Sequence, residues 1–354
     1  MNSNFEKLRH SLPLAILIDK IMNKRNLALG IGGAIGAAVA VKMLTRAKTV
    51  DWEKVSDRVY NSENSQFAEV DGVTIHFQEF GDAADPTVLL LHGYTASTYV
   101  WHRVAPALAD QGFHVVAPDL VGFGFSEKPA WFDYSIASQT RMIVRLMNVL
   151  GIGRATVVGS SYGGAVASTV ALDYSERVEK LVLVDAVCND DILNHPLLKL
   201  AAMPGVGEIF TSFFLDSKAF HKMRMKNTLA PANHHLITKD RIESVRRPLA
   251  ARDAHHSVLA TSRSWDACRI QDDAQYINQP TLIIWGDEDK VIPIENGERL
   301  FESILNSRFV VFKDCGHIPP EENPELFVDL VSEFCRDRKR KIEDQDSENM
   351  KLVN

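Results

Sequence analysis

Between Thr87 and Ala186, short runs that are apolar throughout alternate with longer stretches of helical pattern. "TVLLL", "HVVAP", "ATVVG" and "VEKLVLVDA" read as strands, and "YVWHRVAPALAD", "SQTRMIVRLMNVLG" and "AVASTVALDY" read as helices. A strand apolar on both faces must be covered on both, and strands separated by helices run parallel. The alternation therefore predicts an α/β chain, a mostly parallel central sheet with helices on both faces. Ahead of it, "FAEVDGVTIHFQEFG" reads as two strands joined at Asp71-Gly72, a strong hairpin signal.

The rhythm breaks after residue 188. Residues 189–271 hold helical patterns, including "LLKLAAMPGVGEIFTSFFL" and "DRIESVRRPLAARDAHHSVLA", without a convincing strand. That stretch is too long for a structureless loop, so it is expected to be an inserted helical cap. Strands resume with "QPTLIIWGD" and "SRFVVFKD", and a helix from Pro324 to about Cys335 closes the core. The expected organisation is a core in two parts, 66–188 and 272–336, interrupted by the cap at 189–271. The tail 337–354 mixes dense charge with few apolar residues and is expected to be disordered.

Residues 1–50 stand apart as an N-terminal apolar anchor region. The run from Asn26 to Val41 is uncharged, with Lys24 and Arg25 before it and Lys42, Arg46 and Lys48 after it. Its length is near the lower limit of a spanning helix, and flanking lysines suit an interface. Gly32 and Gly36, four apart, would permit close helix packing. The favoured expectation is a membrane anchor with a cytoplasmic catalytic domain. A cleaved secretory leader, given the small residues around Ala38-Val39-Ala40, and a soluble helical arm are the alternatives. A dinucleotide loop at Gly30, Gly32 and Gly36 fails on spacing and lacks a preceding strand.

The formal charge of -7 argues against a nucleic-acid binder, which would carry a basic patch. Cys188, Cys268, Cys315 and Cys335 are scattered and form no CxxC, so neither a zinc site nor a disulfide framework is suggested. With no phosphate loop or redox motif either, no cofactor is expected.

"TVVGSSYGGAVAS" places two serines between glycines, after a predicted strand and at the start of a predicted helix. Only Ser161 sits midway between Gly159 and Gly163 in a GxSxG register, which puts a hydroxyl on a tight strand-to-helix turn. A serine hydroxyl needs an oriented base. His317, on a Gly-His turn directly after the last predicted strand, is the best placed of the twelve histidines. His92, followed by Gly93, better suits backbone shaping, while His255 and His256 fit the polar face of a cap helix. The base in turn needs an acid. Asp287, Glu288 and Asp289 end one strand and Asp185 ends another. Chain order favours the later cluster, since Ser161, Asp289 and His317 follow the Ser…Asp…His order of one hydrolase class.

Taken together, His92-Gly93 after a strand, "DLVGFGFSEKP", "GSSYG", and "GDEDKVIP" followed by "GHIPPEENP" resemble the α/β-hydrolase superfamily over roughly residues 67–335. By that resemblance Gly286 and Pro293 place the acid at Asp289, and the oxyanion hole would use the backbone N–H groups of Tyr94 and Tyr162. Residues 119–129 would shape the adjoining loop. Epoxide hydrolases and haloalkane dehalogenases of this fold carry Asp where this chain has Ser161, so both are disfavoured. An apolar anchor before a capped core also resembles membrane-bound monoacylglycerol lipases, on architecture alone.

The expected activity is that of a serine esterase or lipase, cleaving carboxylic esters, including lipid or monoacylglycerol esters, through an acyl-enzyme on Ser161. A carbon–carbon bond hydrolase, a perhydrolase or an acyltransferase would use the same residues. The cap would supply apolar walls, with Phe210, Phe213, Phe214 and Leu215 as candidates. A non-catalytic, membrane-associated binding module is disfavoured by the intact triad.

Overall fold

The computed structural model describes residues 32–34, 36–191, 196–337 and 350–353. The chain divides into two units, Met1–Arg46 and Ala47–Asn354. In the first, residues 32–34 and 36–45 are helical. Among the described residues no helix is long and apolar enough to cross a membrane. The described residues therefore give no support to the expected transmembrane anchor. Residues 26–31 and 35 of that expectation lie outside the described residues.

In the second unit the strands are β1 (Ser65–Val70), β2 (Val73–Phe80), β3 (Thr87–Leu91), β4 (His114–Pro118), β5 (Ala155–Ser160), β6 (Val178–Val184), β7 (Thr281–Gly286), β8 (Ser307–Phe312) and β9 (Met350–Val353). They form one sheet in the order β1-β2-β4-β3-β5-β6-β7-β8-β9. β1 and β2 are antiparallel about Asp71 (φ 51) and Gly72 (φ 77), the two positive φ angles that a tight hairpin turn demands. β2 runs antiparallel to β4, and every pairing from β4 to β9 is parallel. Within the tail expected to lack structure, Met350–Val353 instead pair with β8 at the sheet edge. Their apolar Met350, Leu352 and Val353 are unlike the charged run before them.

Alternate strand residues feed two cores. Leu89, Leu91, Val157, Leu181, Leu183, Ile283 and Trp285 face one side, and Val88, Leu90, Val158, Val182, Val184, Leu282 and Ile284 face the other. Each fully buried aliphatic side chain contributes about 1.5–3 kcal/mol of transfer free energy. α1 (Val104–Asp110) and α12 (Pro324–Arg336) cover the second face. α2 (Ile136–Val149), α3 (Tyr162–Asp173) and, in part, α10 (Glu295–Ser303) cover the first. A short α11 (Pro319–Glu322) precedes α12. α3 is buried from Tyr162 to Ala171, because its glycines and alanines let it lie directly on the sheet.

Between β6 and β7 the chain forms α4 (Pro196–Ala202), α5 (Val206–Phe214), α6 (Lys218–Thr228), α7 (Lys239–Arg246), α8 (Arg252–Arg263) and α9 (Cys268–Asp273). In this helical insertion Phe210 stacks on Phe214 at 5.4 Å between centroids, and both meet Phe220. Phe214 remains 47% exposed, so this cluster packs cap helix on cap helix. Leu215 is buried in the large core cluster.

Candidate active site

Five loops at the carboxyl ends of β3, β5, β6, β7 and β8 converge, beside the point where the chain reverses its direction of travel across the sheet. Ser161 follows β5 with φ 53 and ψ -119, a strained conformation for a non-glycine residue. Three backbone bonds hold the turn: Ser161 N–H donates to Val184 O at 2.9 Å, and Ser161 O accepts from Gly164 N and Val187 N. A Cβ on Gly159 would run into Gly163 O, and one on Gly163 into Leu91 O, so bare backbone is needed at both. The strained serine is the one in the GxSxG register. Among the described residues its Oγ makes no hydrogen bond.

His317 follows β8, and its Nδ1 lies 2.7 Å from Asp289 Oδ2. Asp289 Oδ1 accepts from the N–H groups of Val291 and Ile292, which fixes the carboxylate. Nδ1–H of His317 therefore points at Asp289, leaving Nε2 for a substrate-side proton. The histidine is only 7% exposed, and its backbone N–H donates to Thr228 O at 2.8 Å, so the end of α6 holds the base loop. Glu322 ties that loop further, accepting from Gly316 N, Ile318 N and Ala230 N.

Asp185, the rival acid, occupies the same site rather than a separate one. It directly follows β6 at φ 43, fully buried, and its Oδ1 accepts from Gly286 N at 3.0 Å. Donor and acceptor atoms of Asp185, Asp289 and His317 lie within 4.8 Å of one another. Burial, reinforced by the Asp289 charge, pushes the Asp185 carboxyl far above the usual carboxylate range.

Gly93 packs against the serine: a Cβ built there would lie 3.0 Å from Ser161 Cβ. Among the described residues the backbone N–H groups of Tyr94 and Tyr162 have no acceptor. Tyr94 follows Gly93, which packs on the serine, and Tyr162 follows the serine itself at the positive end of α3. His92 is neutral and structural. Its Nε2 accepts from Leu120 N, its Nδ1–H donates to Gly93 O, and burial holds its pKa down. Asp119 accepts from Thr98 N, Phe125 N and His76 Nδ1, which knits the 119–129 loop to β2 and to the loop that follows β3.

Aromatic rings cluster around the residues that flank the serine, Tyr94 after Gly93 and Tyr162 after Ser161. Tyr94 meets Phe123 and Trp265 edge-on at 5.8 Å, and Trp265 reaches Tyr162 at 5.0 Å. The Tyr94 hydroxyl donates to Val258 O and shares a bond with Ser262 Oγ, tethering α8 over the site. The expectation for the paired cap histidines holds for exposed His256 only. His255 is fully buried, because it lies on the face of α8 turned toward the core. Sequence reasoning passed over Thr95, Arg224 and Glu322. Of these only Glu322 stood inside a recognised motif, "GHIPPEENP".

Residues 86–324 match the family model for the alpha/beta hydrolase fold. The chain belongs to this family. It is 27% identical to an uncharacterised hydrolase of Bacillus subtilis, YugF, over 75% of this chain and 96% of that protein. It is 28% identical to the 2-hydroxy-6-oxo-2,4-heptadienoate hydrolase of Pseudomonas putida, over 77% of this chain and 97% of the relative. Among solved structures, the meta-cleavage product hydrolase CumD of Pseudomonas fluorescens superposes with a TM-score of 0.65 at 28% identity, covering 78% of this chain and 98% of its own. As an α/β-hydrolase, the chain is a hydrolase carrying a serine on the turn after β5.

Proposed function

We propose that this α/β-hydrolase cleaves carboxylic esters through a covalent acyl-enzyme on Ser161. The observation that carries the reading is the Asp289–His317 pair at 2.7 Å, at the same sheet edge as a serine held at positive φ. His317 Nε2 takes the Ser161 hydroxyl proton as Oγ bonds to the acyl carbon. The N–H groups of Tyr94 and Tyr162 receive the developing oxyanion, where one donor is worth about 3 kcal/mol. The C–O bond then breaks, and His317 returns its proton to the departing alkoxide. A water molecule repeats the sequence in reverse, giving up its proton to His317 and releasing the acid and free Ser161.

A second reading, carbon–carbon bond cleavage, is favoured by the likeness to the heptadienoate hydrolase and the meta-cleavage product hydrolase named above. The same triad serves both reactions, and the acyl-enzyme would equally serve transfer to another acceptor. Purified wild type, Ser161→Ala and His317→Ala assayed on p-nitrophenyl esters and on a vinylogous 1,5-diketone separate the two. Ester turnover that falls about 10⁴-fold or more in both variants supports the first reading. Turnover of the diketone alone supports the second.

A further inference from the structure

Arg224 lies on α6, in the region between cap and core. Protein surrounds it so closely that burial lowers its pKa to about 10, with Tyr94 and Arg241 the charged or polar neighbours that also act on it. Yet the side chain keeps part of its accessible surface, and the hydrogen bond it makes is from Nη1 to Thr95 Oγ1 at 2.6 Å. Its remaining N–H donors have no protein acceptor among the described residues. Among the described residues no carboxylate pairs with Arg224. The neighbouring Arg241 is already held by Glu321 at 2.9 Å, with both side chains 5% exposed. A desolvated arginine ordinarily has a counter-ion.

The place of this cation is informative. Thr95, at φ 56, follows Tyr94 in the loop whose Gly93 packs on Ser161. One turn further along α6, Thr228 O receives the His317 backbone N–H, and Thr228 Oγ1 donates to Arg224 O at 2.9 Å. Arg224 thus stands between the loop beside the nucleophile and the loop of the base.

Resting on the serine-hydrolase reading above, we infer that Arg224 is a specificity residue that pairs with a carboxylate on the substrate, remote from the bond that is cleaved. One uncompensated guanidinium charge matches one carboxylate, whose planar oxygens fit its donor fork. A doubly charged phosphate would leave excess negative charge beside the guanidinium. The aromatic rings of Tyr94, Phe123 and Trp265 suit the apolar remainder of such a substrate.

The test uses the purified full chain and p-nitrophenyl monoesters of succinic, glutaric and adipic acids, each compared with a neutral p-nitrophenyl ester of matched length. The wild type is expected to favour the acidic ester by about tenfold or more in kcat/KM at one chain length at least. That ratio should fall to about one in Arg224→Gln and be partly kept in Arg224→Lys. A wild-type ratio at or below one at every length overturns the inference. So does a ratio that Arg224→Gln leaves unchanged, which would make Arg224 a brace for Thr95 only. A second arm needs no turnover: calorimetric binding of monomethyl glutarate to Ser161→Ala should weaken about tenfold when Arg224→Gln is added. Equal binding overturns the inference, as does tighter binding of a phosphomonoester of the same length. If neither ester series is hydrolysed, the serine-esterase reading fails, while the calorimetry still decides the role of Arg224.

Discussion

The carboxyl groups of Asp185 and Asp289, carried past the ends of neighbouring strands β6 and β7, meet beside His317 within 4.8 Å. Two buried carboxyls this close do not both ionise. Three N–H groups converge on Asp289 and one on Asp185, and burial beside Asp289 keeps the Asp185 carboxyl protonated well above the usual carboxylate range. A protonated Asp185 adds no second negative charge beside the Asp289 carboxyl that faces the base.

Stability should report this arrangement. Folding raises the Asp185 pKa, so the native state holds a proton that the unfolded chain releases above about 3.8. The contribution of Asp185 is complete below that value and is lost as pH rises through the folded pKa. Asp185→Asn keeps an N–H donor and has no proton to lose. Its melting temperature relative to wild type should therefore rise steadily from pH 5 to pH 9. A pH-independent difference would contradict a protonated Asp185.

Gly163 is a second sensitive point. A Cβ there would meet Leu91 O and, at 2.6 Å, His92 O, backbone atoms where β3 passes into the Gly93 loop. Gly163→Ala must push that loop from Ser161 or move α3. Overpacking of this kind costs about 1–3 kcal/mol. Urea unfolding should show that loss, and ester turnover should fall more steeply than the folded fraction does.

The cap carries its own acid sensitivity. His221 on α6 is fully buried, with Nε2 2.7 Å from Leu215 O, and burial lowers its pKa from 6.5 to about 4. A depressed histidine gives stability that is present above pH 6.5 and is lost as pH falls toward 4. The loss amounts to roughly 3 kcal/mol over that window. His221→Gln retains a donor for Leu215 O without titrating, and chemical denaturation at pH 7 and pH 4.5 should show a smaller drop than in wild type.

The sheet was legible because strands buried on both faces leave a signature of unbroken apolar runs, and Asp71-Gly72 marked its hairpin. Ser161, Asp289 and His317 were legible because each follows such a run at a turn. Asp185 was visible only as a competitor, since its pairing with Asp289 depends on β6 and β7 being neighbours in space. Arg224 carried no local signal at all: on its own helix it reads as a solvated cation. The end of the tail was not legible, because the pairing of Met350–Val353 with β8 depends on a strand far away in sequence, and residues 338–349 lie outside the described residues.

The central claim is that Ser161 is the nucleophile. Intact-protein mass spectrometry after treatment with a fluorophosphonate measures it directly. One adduct per chain, absent from Ser161→Ala and formed far more slowly in His317→Ala, is the predicted result. Stoichiometric labelling that persists in Ser161→Ala would contradict it.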